Sequence, residues 1–187
     1  MMLDLVTQFL DSLTWGGYRR YNYWAGNTWL TGKLPINRDD AIKLVRGGEV
    51  IGVWQCFGYD VSEPCILRDI LVFEADVSEC EGRESLDCVL NWARSNMDVL
   101  RPVLSYGPVL YWNGGKSLYI IIYFTNPVPA DYVLRDEWVE FSKAIGFDMQ
   151  ETQARHAIRV LGTRHHRTNK IGTLLDTNLK PINTFNN

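Results

Sequence analysis

Two acids spaced two residues apart end an apolar run at residues 70–79, Ile70-Leu71-Val72-Phe73-Glu74-Ala75-Asp76-Val77-Ser78-Glu79. The first four residues are β-branched or aromatic except Leu71, the signature of a buried strand. Side chains along a strand alternate between faces, so Glu74 and Asp76 point the same way. Two carboxylates side by side repel unless a positive charge lies between them. A hard divalent cation with oxygen ligands answers that need. The competing reading is a strand that ends in solvated acids.

A second group of chemically active residues lies near the C-terminus. Residues 155–180 hold Arg155, Arg159, Arg164, Arg167, Lys170 and Lys180 against the single acid Asp176, a local charge of +5. The chain as a whole is at −3, so the remainder carries −8. All three histidines, His156, His165 and His166, fall in the same segment. An acidic body with a basic segment fits a local anion site better than a broad nucleic-acid surface. Arg gives bidentate contacts to phosphate, and His donates to a phosphate oxygen.

Between these groups lies Asn113-Gly114-Gly115-Lys116-Ser117, a tight-turn signal between two apolar runs. It is not a P-loop. The first glycine of that motif is missing at Leu110 or Tyr111, and a strand follows where a helix is required. The turn still offers bare backbone amides beside a lysine, a setting suited to an anion. Asp148 follows Phe147, an apolar-acid pair like Phe73-Glu74.

In this order the segments resemble the archaeo-eukaryotic primase superfamily, specifically the small catalytic subunit of DNA primase. The family's first motif is an apolar strand ending in acid-x-acid, matched by residues 70–79 with Glu74 where Asp is usual. Its second is a Ser-Gly-basic-basic-Gly-x-His hairpin. Asn113-Gly114-Gly115-Lys116-Ser117-Leu118-Tyr119 is similar in shape, with Tyr119 in the place of the His. Its third is an apolar residue and Asp, here Phe147-Asp148. A basic residue and a Ser-x-His-x-Lys-Thr-Gly run follow, matched by Arg159 and Thr163-Arg164-His165-His166-Arg167-Thr168-Asn169.

The resemblance covers residues 70 to 180 and implies an α+β primase catalytic core, with an RRM-like antiparallel sheet and a smaller α/β lobe. It implies nucleotidyl transfer from NTP or dNTP on a single-stranded DNA template. Glu74, Asp76 and Asp148 would be the catalytic, metal-holding carboxylates, with Mg²⁺ or Mn²⁺ as cofactor. Asn113, Lys116, Ser117, Tyr119, Arg159, Thr163 and His165 would bind the nucleotide. A primase large subunit or a helicase is the implied macromolecular partner. Two other readings use the same residues: a catalytically weakened homologue that binds nucleic acid or a partner, and a metal-dependent nuclease without a triphosphate grip.

The elements that must position these residues are legible in outline. The 187 residues fit one domain, and 46% hydrophobic content with seven Trp, nine Tyr and seven Phe can fill a core. No apolar run reaches transmembrane length, and residues 1–13 lack the basic start of a signal peptide, so an intracellular protein is expected. Residues 3–13 form an amphipathic pattern through Leu3, Val6, Phe9, Leu10 and Leu13. Residues 15–34, aromatic and Gly-rich, read as irregular. Asn37 caps a predicted helix over Asp39–Arg46 that ends at Gly47-Gly48.

Strands are predicted over 49–57, at Val109–Trp112 and over Leu118–Phe124, the last two forming a hairpin. Helices are predicted from Gly82 to about Met97, from Ala130 to Ile145, and around Gln153–Val160. Cys56, Cys65, Cys80 and Cys88 include no CxxC pair, so reduced structural cysteines are expected rather than a zinc site. Hairpins mixed with helices point to α+β rather than a regular βαβ wind.

Overall fold

A computed structural model describes residues 4–131, 142–143 and 154–184. Asp148 and most of the helix expected over 130–145 lie outside the described residues. The elements run in the order α1 (Leu5–Ser12), β1 (Tyr21–Trp24), β2 (Trp29–Thr31), α2 (Arg38–Arg46), β3 (Ile51–Trp54), β4 (Cys56–Phe57), β5 (Leu67–Asp76), α3 (Leu86–Ser95), α4 (Met97–Leu104), β6 (Val109–Trp112), β7 (Ser117–Pro129), β8 (Ala157–Arg159), β9 (Thr173–Leu175) and β10 (Pro181–Ile182). The fold is α+β, with two antiparallel sheets ordered β2-β1-β3-β8 and β10-β9-β6-β7-β5-β4.

The strand that ends in acids is β5, paired along nearly its whole length with β7 in the larger sheet. Its period-two pattern sorts its side chains between two cores. Leu71, Phe73 and Ala75 pack with Val89, Leu90, Ala93, Leu100 and Val103 of α3 and α4. Ile70 and Val72 face the other way, into a core shared with Phe9 and Leu10 of α1, Ala41 of α2, and Ile51, Val53 and Ile158 of the smaller sheet. Glu74 and Asp76 continue the parity of Ile70 and Val72, so they emerge on the face turned toward the smaller sheet.

Local signals set the helix starts. Asn37 accepts from the Asp40 amide and Asp40 answers the Asn37 amide, a capping box for α2. Asp4 and Ser85 cap α1 and α3 more simply, each side chain accepting from one amide, that of Thr7 and that of Cys88. The helix expected from Gly82 to about Met97 is α3, Leu86–Ser95, and a second helix that was not expected, α4, follows it past Asn96.

Four further expectations are corrected. The stretch 15–34 is not irregular: β1 and β2 form a hairpin whose turn uses Gly26 at φ 91°. The single strand over 49–57 is two strands in different sheets. The break is Gln55, whose buried side-chain oxygen accepts from Arg68 Nη2 at 2.9 Å and from the Val72 amide at 3.0 Å. The helix expected around Gln153–Val160 is instead strand β8, because its residues pair with Gly52, Val53 and Trp54 of β3. Ile158 turns into the core between the sheets while Ala157 and Arg159 face the other side.

The cysteines are not reduced. Cys56 pairs with Cys65 and Cys80 with Cys88, at Cα separations of 5.0 and 5.9 Å. Both distances lie in the range a disulfide spans. Spacing concealed this, since each pair is brought together by a turn in the intervening chain.

Candidate active site

Where the apolar core between the sheets stops, a cleft of about 450 Å³ opens. Glu74 and Asp76 of β5 line it, with Asn113, Lys116 and Ser117 of the β6–β7 turn, Tyr119 of β7, Arg159 of β8, and His165 beyond. The register explains the first part of this gathering. Glu74 stands opposite Tyr119 and Asp76 opposite Ser117. The acids and the hairpin are therefore neighbours by strand pairing alone.

The hairpin is held from several directions. The Asn113 side-chain oxygen accepts from the Gly115 amide at 2.8 Å and the Ser117 amide at 3.4 Å. The Trp112 indole donates to the Gly115 carbonyl at 2.7 Å. The Val77 amide donates to the Lys116 carbonyl at 3.0 Å, tying the turn to the end of β5. Asn113 and Ser117 are buried, and with these bonds they build the turn. Lys116 reaches back over the acids, 3.4 Å from Asp76 and 3.6 Å from Glu81.

The basic segment clasps the hairpin from the opposite side. Thr168 donates its hydroxyl proton to the Gly114 carbonyl at 2.6 Å. His165 lies so close that a Cβ on Gly115 would meet its Nε2 at 2.6 Å. A Cβ on Gly114 would meet the Lys170 carbonyl at the same distance, and its φ is 85°. The paired glycines are thus required by the approach of a second segment as well as by the turn.

The tautomer of His165 follows from its neighbours. Its Nδ1 accepts from the amides of Arg167 at 3.2 Å and Thr168 at 3.3 Å. A neutral ring with an accepting Nδ1 carries its proton on Nε2, which faces the glycine turn. Burial, then Arg159, His166 and Arg167, push the His165 pKa down to about 3. His166 behaves similarly: burial, then Arg159 and Arg167, lower it to about 4. Its Nδ1 lies 2.9 Å from Arg159 Nη2, and guanidinium only donates, so His166 accepts.

Arg159 is the most consequential side chain here. It is 8% exposed, so it is not the surface group that a solvated basic loop would offer. One nitrogen meets His166, and the guanidinium lies 5.8 Å from the Trp29 ring. Its Nε and Nη1 are buried and have no hydrogen-bond partner. Buried donors without acceptors destabilise a fold. Arg159→Met is therefore expected to leave the free protein as stable as the parent or more so, by up to about 4 kcal/mol, while removing affinity for polyphosphate. Urea unfolding beside calorimetric titration with tripolyphosphate checks both halves. A large loss of stability would mean the fold needs the charge.

The histidines make a second expectation. In the unfolded chain His titrates near 6.5, whereas these two take up protons only near 3 and 4. Between those limits the unfolded chain binds more protons, so their contribution is full above about pH 6.5 and is lost as pH falls toward 4. Melting temperatures from pH 7.5 to 4.5 should fall more steeply for the parent than for His166→Gln. Parallel curves would refute the assignment.

Thr163 is not brought to the cleft: it is buried and donates its hydroxyl proton to the Val160 carbonyl at 2.6 Å. Conversely, Asn22, Trp24, Trp29, Gly52, Glu81 and Glu84 line the cleft although their sequence contexts did not mark them. The aromatic richness of 15–34 was the available signal. Among the described residues no three His, Cys, Asp or Glu cluster as a metal site, and no helix is long and apolar enough to cross a membrane.

No protein-family model and no curated protein matches the sequence. Among solved structures, the chain is similar to the archaeo-eukaryotic primase domain of the primase-polymerase of cyanophage S-2L. The identity is 18%, over 91% of this chain and 89% of that one, with a TM-score of 0.53. The fold of this chain is therefore that of an archaeo-eukaryotic primase domain.

Proposed function

We propose that the chain is a primase-polymerase-like nucleotidyltransferase that makes or extends primers on a single-stranded DNA template, using NTP or dNTP. The observation that carries the reading is the cleft itself. It gathers two carboxylates, a buried guanidinium, the neutral His165 and Lys116 in one lining. On this reading the larger sheet is the RRM-like sheet of the primase core.

The donor set fits a divalent ion. Mg²⁺ is bound through one or two carboxylates and completed by substrate phosphates and water, which Glu74 and Asp76 on one strand face would allow. Asp148 would be the third carboxylate, by resemblance. Bound Mg²⁺ or Mn²⁺ would supply activation of the primer hydroxyl and charge neutralisation on the departing pyrophosphate.

The remaining work falls to the chain's own groups. Arg159 would set a fixed positive charge beside the phosphates from the cleft wall, and His165 would donate from Nε2. Lys116 bridges Asp76 and Glu81 in the free protein and adds positive charge to the cleft. Tyr119, where the family has His, carries a hydroxyl, a group that can donate one hydrogen bond as a neutral His can. Because the transition state spreads negative charge, fixed donors matter more than a general base.

The test is nucleotide incorporation on a primed and an unprimed single-stranded template, with Mn²⁺, with Mg²⁺ and with chelator. Metal-dependent incorporation is expected. Nucleotide binding without incorporation under either metal would favour a non-catalytic homologue. Degradation of the template would favour a nuclease.

A further inference from the structure

We infer that the smaller sheet carries the nucleobase platform of this cleft: Trp24 and Trp29 stack the base of a nucleoside triphosphate whose phosphates lie at Arg159 and His165. This rests on the function proposed above.

The register builds the surface. Asn22 of β1 stands opposite Gly52 of β3, and Gly52 opposite Arg159 of β8. These three form one row across three strands, with side chains on one face. Gly52 contributes no side chain, so the floor between Asn22 and Arg159 is backbone. One step along the same face, Trp24 pairs with Trp29. Their rings lie 5.5 Å apart, edge to face, and the His166 ring lies 4.1 Å from Trp24. Both indoles are half-buried and line the cleft, so part of each ring faces it.

Asn22 adds a polar edge with a fixed orientation. The Trp54 indole nitrogen lies 3.1 Å from its side-chain oxygen, and an indole N–H can only donate. The oxygen is therefore on that side, and the amide nitrogen, with two protons, is left for a base-edge or sugar acceptor. Flat aromatic surface, an amide donor and a buried guanidinium with unanswered donors meet in one cleft. A nucleoside triphosphate presents the complementary set in a single molecule, and a cleft of this volume is of ligand size. Because the Trp29 ring lies only 5.8 Å from the Arg159 guanidinium, base and phosphate contacts fit one ligand better than a distant template strand. Stacking on indole is tolerant of base identity, since every base has a π-face.

Calorimetric titration of the full chain with Mn²⁺ tests this, using dATP, 2-deoxyribose 5-triphosphate without a base, and tripolyphosphate. In the unmodified protein dATP is expected to bind about ten- to a hundredfold tighter than the baseless triphosphate, the size of one lost base–aromatic stack. The four dNTPs should lie within about tenfold of one another. Trp24→Ala should remove most of the dATP advantage and leave tripolyphosphate affinity unchanged, whereas Trp24→Phe should retain it.

Equal affinity for dATP and the baseless triphosphate in the unmodified protein would overturn the platform while leaving the triphosphate site standing. A Trp24→Ala variant that weakens an oligo-dT strand but not dATP would also overturn it, assigning the rings to template. Failure of all three phosphates to bind would remove the proposed function and the platform together. Should Trp24→Ala fail to fold, the base dependence of the unmodified protein decides alone.

Discussion

Asp76→Ala is expected to reduce nucleotide incorporation by at least about 10²–10³-fold, the range seen when one fixed group that stabilises transition-state charge is removed. Asp76 stands at the end of β5 opposite Ser117, and its carboxylate is half exposed at 49%. Among the described residues it pairs with Lys116, itself 27% exposed. Exposed pairs of this kind contribute about 0–1 kcal/mol. The variant should therefore melt within a few degrees of the parent, which separates loss of chemistry from loss of fold. Asp76→Asn keeps the shape and removes the charge, so it should be nearly as inactive. Unchanged incorporation in both variants would show that the acids at the end of β5 play no part in the reaction.

Asp69→Ala is expected to cost about 3–5 kcal/mol of stability, the usual penalty for leaving a buried charge without its partner. That is a large share of the roughly 5–15 kcal/mol that holds a domain together. Asp69 lies at the irregularity in β5 between Arg68 and Ile70, and it pairs with Arg19, whose side chain is fully buried. Asp69 also accepts from the Thr14 amide at 2.7 Å. Arg19 donates to the Trp54 carbonyl at 3.0 Å and lies 5.5 Å from the Trp15 ring and 5.3 Å from that of Phe57. The pair thus joins the chain entering β1 and the end of β3 to the larger sheet. Replacing both partners, as Arg19→Met with Asp69→Leu, should recover much of the loss, since a well-packed apolar pair avoids the desolvation of two charges. Urea unfolding of the three variants measures this. A loss below about 1 kcal/mol in Asp69→Ala would mean the guanidinium finds water when its partner is gone.

How much was legible in the sequence depended on how locally each element is specified. β5 and the β6–β7 hairpin were readable because a long apolar run, period-two acids and an Asn-Gly-Gly turn all agree. Helix α2 was readable from its cap at Asn37. The smaller sheet was not. β1, β2 and β8 are three or four residues long and half polar, and pairing with one another across the chain makes them strands. β8 in particular carries Ala157 and Arg159, residues with good helix propensity, and its partner β3 overrides that preference.

The break at Gln55 was hidden because nothing in Trp54-Gln55-Cys56 announces a change of sheet; a buried side-chain oxygen with two donors does the work. The candidate site was legible through the order of its segments. Glu74, Asp76, the hairpin turn, Arg159 and His165 lie in one cleft, while Thr163 is turned into the local fold and Asp148 lies outside the described residues. Trp24 and Trp29 needed the sheet before they could be seen as neighbours.

The edges of the two sheets have a consequence for association. Among the described residues the smaller sheet ends on β2 and β8, of three residues each, and the larger on β4 and β10, of two each. The long strands β5 and β7, of ten and thirteen residues, pair with each other, while β4 covers only Leu67 and Arg68 of β5 and β6 covers only Leu118–Ile121 of β7. β10 moreover begins with Pro181, which has no amide proton to offer. Short edges present little unpaired backbone to another chain, so they resist edge-to-edge aggregation. The same shortness withholds the template that strand addition requires. At these four edges a joining protein has to recognise side chains rather than backbone.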